Sequence, residues 1–397
     1  MKKIKLIIIT TLFFVGCGSS DPSGEYKVGT SYSYFSSNGN VSFYKSDGVE
    51  YCNTKGSWRR EGKNIYVSNL YNPNCPDMSR LNGIYLIERG RLVGSKRKTY
   101  NKTAKKRIKA PKFSSDSAYA YVQKQVDFGP RNPNSASAEA CGNWLESKLE
   151  GFGANIITQE DNVTAYDGTV LRMKNIIAEF QPKKKKRIML YAHWDTRPFA
   201  DKDTVRINEP IDGANDGGSG VGVLLEISRM LSKNPTDYGV DIILFDSEDY
   251  GRPTYASGSN YKDWCLGSQY WANKPHKKNY NAKYGILLDM VGGENAAFPR
   301  EGTSLEYASN VVDKIWKSAN SLGYGGLFER AKTNPTTDDH LFVNAAGIPS
   351  AAIVEFHVHQ MGGYGKFHHT HQDNMENISK ETLQAVGDVV MDVIYNE

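Results

Sequence analysis

The sequence predicts an α/β protein, in which a mixed, mostly parallel sheet is sandwiched by helices and preceded by a small all-β module. Two observations predict the α/β part. Continuous apolar runs of strand length, such as residues 188–192 and 242–245, are typical of strands buried on both faces. Helical patterns alternate with these runs, and the last has an apolar stripe through Leu383, Val386 and Val390. The all-β module is predicted by two-residue alternation between turn residues in the first hundred positions.

Residues 1–24 are predicted to be a lipoprotein signal peptide and tether. Lysines precede an apolar segment, residues 6–15, that is too short to span a bilayer. The segment ends in Phe14-Val15-Gly16-Cys17, which resembles a bacterial lipobox. Lipidation of Cys17 would anchor an exported protein to a membrane, at the periplasmic or cell surface. Because Phe14 stands where Leu is usual, an ordinary secretory signal is the alternative.

Residues 25–100 are predicted to form the small β-rich module, with a hairpin about residues 61–64. Cys52 and Cys75 lie in it and would form a disulfide in an oxidising compartment. A basic linker, residues 101–113, follows. Cys141 and Cys265 lie further along the chain, either as a second bridge or as buried free thiols.

Residues 114–397 are predicted to be the catalytic domain. Its helical patterns lie near residues 118–126, 141–149, 221–231, 303–321 and 379–395. Its strands are predicted near residues 154–159, 175–180, 187–192, 240–245, 284–290 and 350–356.

Composition and charge narrow the functional class. With 397 residues and a 39% hydrophobic share, the chain can bury a sizeable core. Its net charge of +5 is uneven, since residues 17–109 carry about +10 and residues 110–397 about −8. An acidic catalytic region argues against nucleic acid as a partner, and we expect a monomer. The basic front part would face an anionic surface or simply be solvated.

Six acidic or imidazole side chains follow buried-strand patterns or lie beside Gly-rich turns. They are His193, Asp216, Glu248, Asp249, Asp289 and His369. In an open parallel sheet, the loops that leave the carboxyl ends of the strands converge on one crevice, where ligands bind. Carboxylates and imidazoles there, without a thiolate, suit a catalytic zinc ion with an open coordination position. The sequence therefore predicts a zinc enzyme.

Each signal also has an ordinary structural explanation. Asp216 could cap the helix that follows it. The adjacent acids Glu248 and Asp249 call for a positive partner at a buried strand end, although a solvated loop end is the alternative. Asp195 lies on the same side of an extended chain as His193, where its carboxylate would hold the tautomer of the imidazole.

Several short motifs are distributed over residues 114–397. They are Phe-Gly-Pro-Arg at 128–131, His-Trp-Asp-Thr-Arg-Pro at 193–198, Asn-Asp-Gly-Gly-Ser-Gly at 215–220, Asp-Ser-Glu-Asp at 246–249, Asp-Asp-His at 338–340 and His-Thr at 369–370. Together they resemble the zinc-dependent M28 peptidase family, whose fold is aminopeptidase-like. The stretch Trp-Cys-Leu-Gly-Ser-Gln-Tyr-Trp at 264–271 is similar to bacterial members of the glutaminyl-peptide cyclotransferase branch.

This resemblance implies a role for each site residue. One zinc ion would be held by Asp216, Asp249 and His369, and Glu248 would be the general acid/base. Asp249 stands where many relatives have Glu, so that ligand reaches one methylene less.

Asp289 and Asp338 match catalytic acids that the cyclases use in a hydrogen-bond network. In the aminopeptidases, His193 and Asp289 would instead bind a second zinc ion, with Asp216 bridging the two metals.

Three further residues are candidates for the substrate pocket. Trp194 and Trp264 are candidate apolar walls, with core packing as the alternative. His368 stands where the cyclases commonly have Trp, which puts the substrate contact of that position in question.

The implied reaction is the conversion of N-terminal Gln of peptides or proteins to pyroglutamate, with release of ammonia and one zinc ion per chain. The alternative is a di-zinc aminopeptidase that removes N-terminal residues. A third hypothesis is a catalytically dead surface lipoprotein that only binds, which the intact set of acids and imidazoles disfavours.

Overall fold

The computed structural model describes residues 108–258, 260–358 and 363–397, together with the strands within the first 94 residues. The chain divides into two compact units, Met1–Arg107 and Ile108–Glu397. Cys17, Cys52 and Cys75 lie outside the described residues, so lipidation of the first and a disulfide between the other two stay predictions. In the part of the chain that the structure describes, no helix has the length and apolarity needed to cross a membrane.

The first unit is built from antiparallel strands. They are β1 Lys5–Ile9, β2 Thr11–Val15, β3 Gly24–Val28, β4 Ser31–Phe35, β5 Asn40–Lys45, β6 Thr54–Glu61, β7 Asn64–Tyr71, β8 Gly83–Glu88 and β9 Arg91–Gly94. Strands β3 to β9 form one sheet in chain order. The hairpin expected about residues 61–64 is confirmed, because Glu61 pairs with Asn64.

The second unit contains seven α-helices and eight strands in the residues that the structure describes. The helices are α1 Ser115–Val126, α2 Ala136–Gly151, α3 Ser219–Lys233, α4 Leu266–Asn273, α5 Gly302–Leu322, α6 Asp339–Ala345 and α7 Lys380–Tyr395. The strands are β10 Asn155–Thr164, β11 Val170–Phe180, β12 Arg187–His193, β13 Gly239–Phe245, β14 Gly285–Asp289, β15 Phe298–Arg300, β16 Phe328–Lys332 and β17 Ser350–Val354.

The central sheet is mixed, and four of its six strands are parallel to one another. Its order is β10-β11-β13-β12-β14-β17. Strands β13, β12, β14 and β17 run parallel, whereas β10 and β11 are antiparallel to their neighbours. Every residue of the four parallel strands is buried, which explains their continuous apolar sequences. The predicted fold class is confirmed.

Helices cover both faces of this sheet, and the side chains of β12 show how the core divides. Ile188 and Leu190 belong to a core shared with α1, α2, α3, α5 and α7. Met189 and Tyr191 point the other way, into a second core that includes Trp271 of α4. This alternation follows from the two-residue period of a strand. Because β12 pairs in parallel with β13 and β14, the loops at the carboxyl ends of these three strands emerge together at one edge of the sheet.

Candidate active site

Three adjacent strands bring four of the predicted site residues to one place. His193 is the last residue of β12, Asp289 is the last residue of β14, and Glu248 and Asp249 follow the end of β13. Because β12 lies between β13 and β14, their ends are side by side. The structure thus brings these side chains together, as the sequence predicted from their position after apolar runs.

Two loops complete the group. Asp216 comes from the Gly-rich loop ahead of α3, and His369 from the loop ahead of α7. His369 Nε2 lies 3.3 Å from Asp249 Oδ1 and 3.7 Å from Asp216 Oδ2. Asp216 does not cap the helix, because the N-cap position of α3 is Gly218 and has no side-chain hydrogen bond.

The donor set formed by Asp216, Asp249 and His369 fits a metal ion. The Oδ2 atoms of both aspartates are buried and have no hydrogen-bond partner. Unpaired carboxylate oxygens are costly in a protein interior unless a cation compensates them. Two carboxylates and an imidazole also match the ligand types of catalytic zinc sites with three protein ligands.

A second donor group adjoins the first. His193 Nε2 lies 3.1 Å from Asp216 Oδ1 and 3.2 Å from Asp289 Oδ1. Ligand atoms of these three residues all lie within 4.8 Å of one another. The geometry therefore accommodates a second cation, as the aminopeptidase hypothesis requires.

Glu248 is buried in the same site. Burial raises the pKa of Glu248 well above the usual carboxyl range, an effect that His193 opposes and Asp249 reinforces. A carboxyl group with a raised pKa exchanges protons more readily near neutral pH, which suits a general acid/base. The Cys265 thiol contacts Glu248 Oε1 with an S–O distance of 3.0 Å.

Buried carboxylates hold the site loops through backbone amides. The Asp195 carboxylate accepts the N–H groups of Glu248 and Asp249, each at 3.1 Å. Asp195 Oδ1 also lies 3.6 Å from His193 Nδ1. Asp195 thus orients the loop that carries the base and a candidate ligand, and it lies beside the imidazole where the sequence placed it.

Two supporting acids were not found from the sequence. The Asp373 carboxylate accepts the N–H groups of Asn215 at 2.7 Å and Asp216 at 3.0 Å. Asp201 Oδ1 accepts a hydrogen bond of 2.6 Å from Arg197 and lies 3.2 Å from His369 Nδ1. The only sequence signal for these acids was their proximity to the His-Trp-Asp and His-Thr motifs.

A cavity of about 530 Å³ opens over the site. Its lining includes Asp216, Glu248, Asp249, Asp289, Asp338, Trp264, Phe356, Tyr364, His368 and His369. The Trp264 ring stacks on His369, with centroids 5.9 Å apart and an interplanar angle of 14°, and the Arg197 guanidinium lies 4.7 Å from the Trp264 ring. Trp264 and His368 therefore lie where the sequence expected pocket walls.

Trp194 is not a wall of this cavity, and that expectation is wrong. The side chain is 2% exposed and belongs to the hydrophobic core, where its ring lies against Gly142 of α2. Its indole N–H donates to the carbonyl of Lys174 at 3.1 Å. The reason is strand alternation, since His193 and Asp195 face the site and the residue between them must face the opposite side.

The two thiols of the second unit are accounted for. Cys141 and Cys265 are both free and buried, so they do not form a second bridge. Burial raises the pKa of Cys141 to about 11, which keeps the thiol protonated and unreactive.

The comparisons with known proteins agree with this geometry. The family model described as "Peptidase family M28" matches residues 175–394, which are more than half of the chain and include all the candidate ligands. The chain belongs to peptidase family M28.

Two solved structures from Bacteroides thetaiotaomicron are similar to the chain. Its glutaminyl cyclase bound to N-acetylhistamine is 51% identical, and the match covers 72% of this chain and 99% of that one with a TM-score of 0.71. A leucine aminopeptidase precursor is 50% identical, covering 73% of this chain and 99% of the other with a TM-score of 0.70.

Two curated relatives are more distant. The glutaminyl-peptide cyclotransferase of Boiga irregularis is 24% identical over 287 residues, which are 66% of this chain and 75% of the relative. Aminopeptidase YwaD of Bacillus subtilis is 30% identical over 238 residues, 56% of this chain. That match spans only 44% of the length of YwaD. Relatives with both activities therefore share this fold, and residues at the site must distinguish them.

Proposed function

We propose that this protein is a glutaminyl-peptide cyclotransferase that converts N-terminal Gln of peptides and proteins to pyroglutamate and ammonia with one zinc ion. The observation that carries the proposal is the 51% identity over 99% of a glutaminyl cyclase chain. The cavity supports it, because Glu248 lies beside the candidate ligands Asp216, Asp249 and His369 in a space large enough for a terminal residue.

The reaction is an internal acyl transfer. The α-amine nitrogen of the substrate attacks the carbonyl carbon of its own Gln side chain, forming a C–N bond. The bond from that carbon to the side-chain amide nitrogen then breaks, and ammonia leaves. Because the nucleophile belongs to the substrate, no activated water is required.

Different residues of the chain bind the metal and transfer the proton. Asp216, Asp249 and His369 would hold the zinc ion, which when bound supplies Lewis-acid polarisation of the amide oxygen. Glu248 accepts a proton from the attacking α-amine and gives it to the departing nitrogen, so no net proton is consumed. Burial is the main cause that raises the pKa of Glu248, which makes its carboxylate a stronger proton acceptor.

Asp338 and Asp289 are proposed to hold the substrate amide nitrogen. Both line the cavity. Burial raises the pKa of Asp338 well above its usual value, and the nearby Asp289 carboxylate raises it further. Two acids in such surroundings favour a shared proton, which leaves carboxylate oxygens to accept the N–H groups of the amide.

A second candidate function is a di-zinc aminopeptidase. It is favoured by the group of His193, Asp216 and Asp289, whose ligand atoms lie within 4.8 Å of one another. In that case Glu248 would activate a water molecule, and the first residue of the substrate would be released.

The peptide products distinguish the cyclotransferase from the aminopeptidase. The purified protein is incubated with zinc and two peptides that differ only at the first residue, Gln or Leu, and the products are analysed by mass spectrometry. Cyclisation predicts that the Gln peptide loses one ammonia and that the Leu peptide is unchanged. Release of free Leu, with the Gln peptide not cyclised, would establish the aminopeptidase instead.

We further propose that the protein is an exported lipoprotein anchored through Cys17, which acts on peptide or protein N-termini as a monomer. The lipobox-like sequence before Cys17 supports the anchor. Labelling with a fatty-acid analogue in a bacterial host would mark the protein but not its Cys17→Ser variant. Absence of label from both proteins would favour an ordinary secretory signal.

A further inference from the structure

His368 lies at the centre of the site without a role in the chemistry above. Its Nε2 is 3.8 Å from Asp216 Oδ2, and its ring centroid is 3.7 Å from that of His369. The Tyr364 ring covers it at 4.5 Å. His368 and Asp216 line the main cavity and also a smaller one of about 180 Å³. The imidazole therefore faces the space in which the substrate amide would bind.

Lys202 holds the other nitrogen of this ring. The Lys202 ammonium contacts His368 Nδ1, and the Lys202 backbone N–H donates to the carbonyl of His369 at 3.2 Å. A lysine ammonium has three donors and no acceptor. Burial lowers the pKa of Lys202 below its usual value, while the carboxylates of Asp201 and Asp216 oppose that shift.

This contact fixes the tautomer of His368. Because the ammonium donates to Nδ1, the lone pair lies at Nδ1 and the ring hydrogen at Nε2. An Nε2 that carries hydrogen cannot bind a metal, although Asp216, His368 and His369 offer ligand atoms within 4.8 Å of one another. Metal binding through Nε2 would require a hydrogen on Nδ1 and an acceptor beside it, whereas the neighbour there is a donor.

We propose that His368 donates its Nε2 hydrogen to the side-chain amide oxygen of the bound Gln residue, with Lys202 as the positioning residue that sets the tautomer. This inference rests on the proposed cyclotransferase function. The donor stabilises the oxygen as negative charge develops on it during attack by the α-amine. A preorganised donor of this kind contributes most in the transition state rather than in the bound ground state.

The first test replaces the donor and measures both turnover and zinc binding. We expect His368→Ala to lower kcat by about 100- to 1,000-fold, as removal of one oxyanion donor typically does, with little change in KM. Its zinc affinity, measured by competition with a chelator, should equal that of the parent. His368→Gln, which retains an N–H donor, should recover part of kcat. The matched control is His371→Ala, because His371 lies in the same loop but contacts Arg206 rather than the cavity.

The second test addresses Lys202. Lys202→Met removes the ammonium and keeps most of the stem, so we expect a lower kcat. Combined with His368→Ala, it should cause no further loss, since both act through one donor. Nitrogen-15 NMR of the zinc-loaded parent should show hydrogen at Nε2 of His368 and a lone pair at Nδ1, and Lys202→Met should alter that signature.

Each contrary result has a distinct meaning. A tenfold or greater loss of zinc affinity in His368→Ala would show that His368 is a metal ligand and overturn the proposal. Unchanged kcat in His368→Ala, or fully additive losses in the double variant, would overturn it as well. Failure of the cyclotransferase function is separate, because the parent itself would then release no ammonia from a Gln peptide.

Discussion

Removing one carboxylate beneath the site should weaken the fold and metal binding together. Asp195 is fully buried and accepts the backbone N–H groups of Glu248 and Asp249, each at 3.1 Å. In Asp195→Asn, the amide oxygen can accept only one of these N–H groups, and the NH₂ group faces the other donor. The loop that carries the base and a candidate ligand then loses part of its support.

The size of the destabilisation follows from the two hydrogen bonds that Asp195 accepts. A hydrogen bond to a charged group contributes about 1.5–3 kcal/mol, so weakening one and losing the other should lower the free energy of unfolding by roughly 2–4 kcal/mol. At about 2–4 °C per kcal/mol, Tm should fall by roughly 4–16 °C. Partners that orient metal ligands typically change metal affinity by about 10- to 100-fold, and we expect a zinc affinity loss in that range.

Thermal unfolding by circular dichroism and chelator competition for zinc measure both effects. The matched control is Asp161→Asn, because Asp161 also accepts a backbone N–H, that of Asn162 at 2.9 Å, but is exposed. Its stability should change by less than about 0.5 kcal/mol. A parental Tm and zinc affinity in Asp195→Asn would show that Asp195 does not support this loop.

Three further predictions concern the base, the pocket wall and acid stability. Glu248→Gln should abolish ammonia release and retain zinc, and surviving turnover would remove Glu248 from its role. In Gly251→Ala the new Cβ would lie 2.0 Å from the Trp264 ring. This overpacking should lower the free energy of unfolding by about 1–3 kcal/mol and raise KM. The control is Gly151→Ala, because the space around its Cβ is open. Burial would raise the pKa of Asp201, but hydrogen bonds from His369 and Arg197 lower it overall. The contribution of Asp201 to stability is therefore present above the unfolded carboxyl pKa of about 3.9 and is lost as pH falls below it. The free energy of unfolding of Asp201→Asn should depend less on pH between about 4 and 2 than that of the parent protein. The same pH dependence in both proteins would contradict this.

The parts of the fold that the sequence predicted are those with strong local patterns. The strands at 187–192 and 240–245 were found because both faces are buried, which requires uninterrupted apolar residues. Site residues that directly follow such runs, such as His193 and Asp289, were found for the same reason. The short helix α4 was missed, since it begins after Cys265 in a left-handed conformation (φ 60°), which no apolar period reveals.

The supporting contacts could not be predicted, because they join loops that are distant in the chain. Asp373 accepts the amide of Asn215 across 158 residues, and nothing in either local sequence records that approach. Trp194 shows the opposite error. The alternation that placed His193 and Asp195 at the site also directs Trp194 into the core, and the pocket assignment neglected it.

Zinc titration of the metal-free protein, with ammonia release from a Gln-initiated peptide as the readout, measures whether one bound zinc ion supports cyclisation. We expect activity to rise linearly and to reach its plateau at one zinc ion per chain. We also expect that Asp249→Ala does not reach that plateau at the same zinc concentration. A plateau only at two zinc ions per chain, or full activity without zinc, would contradict it.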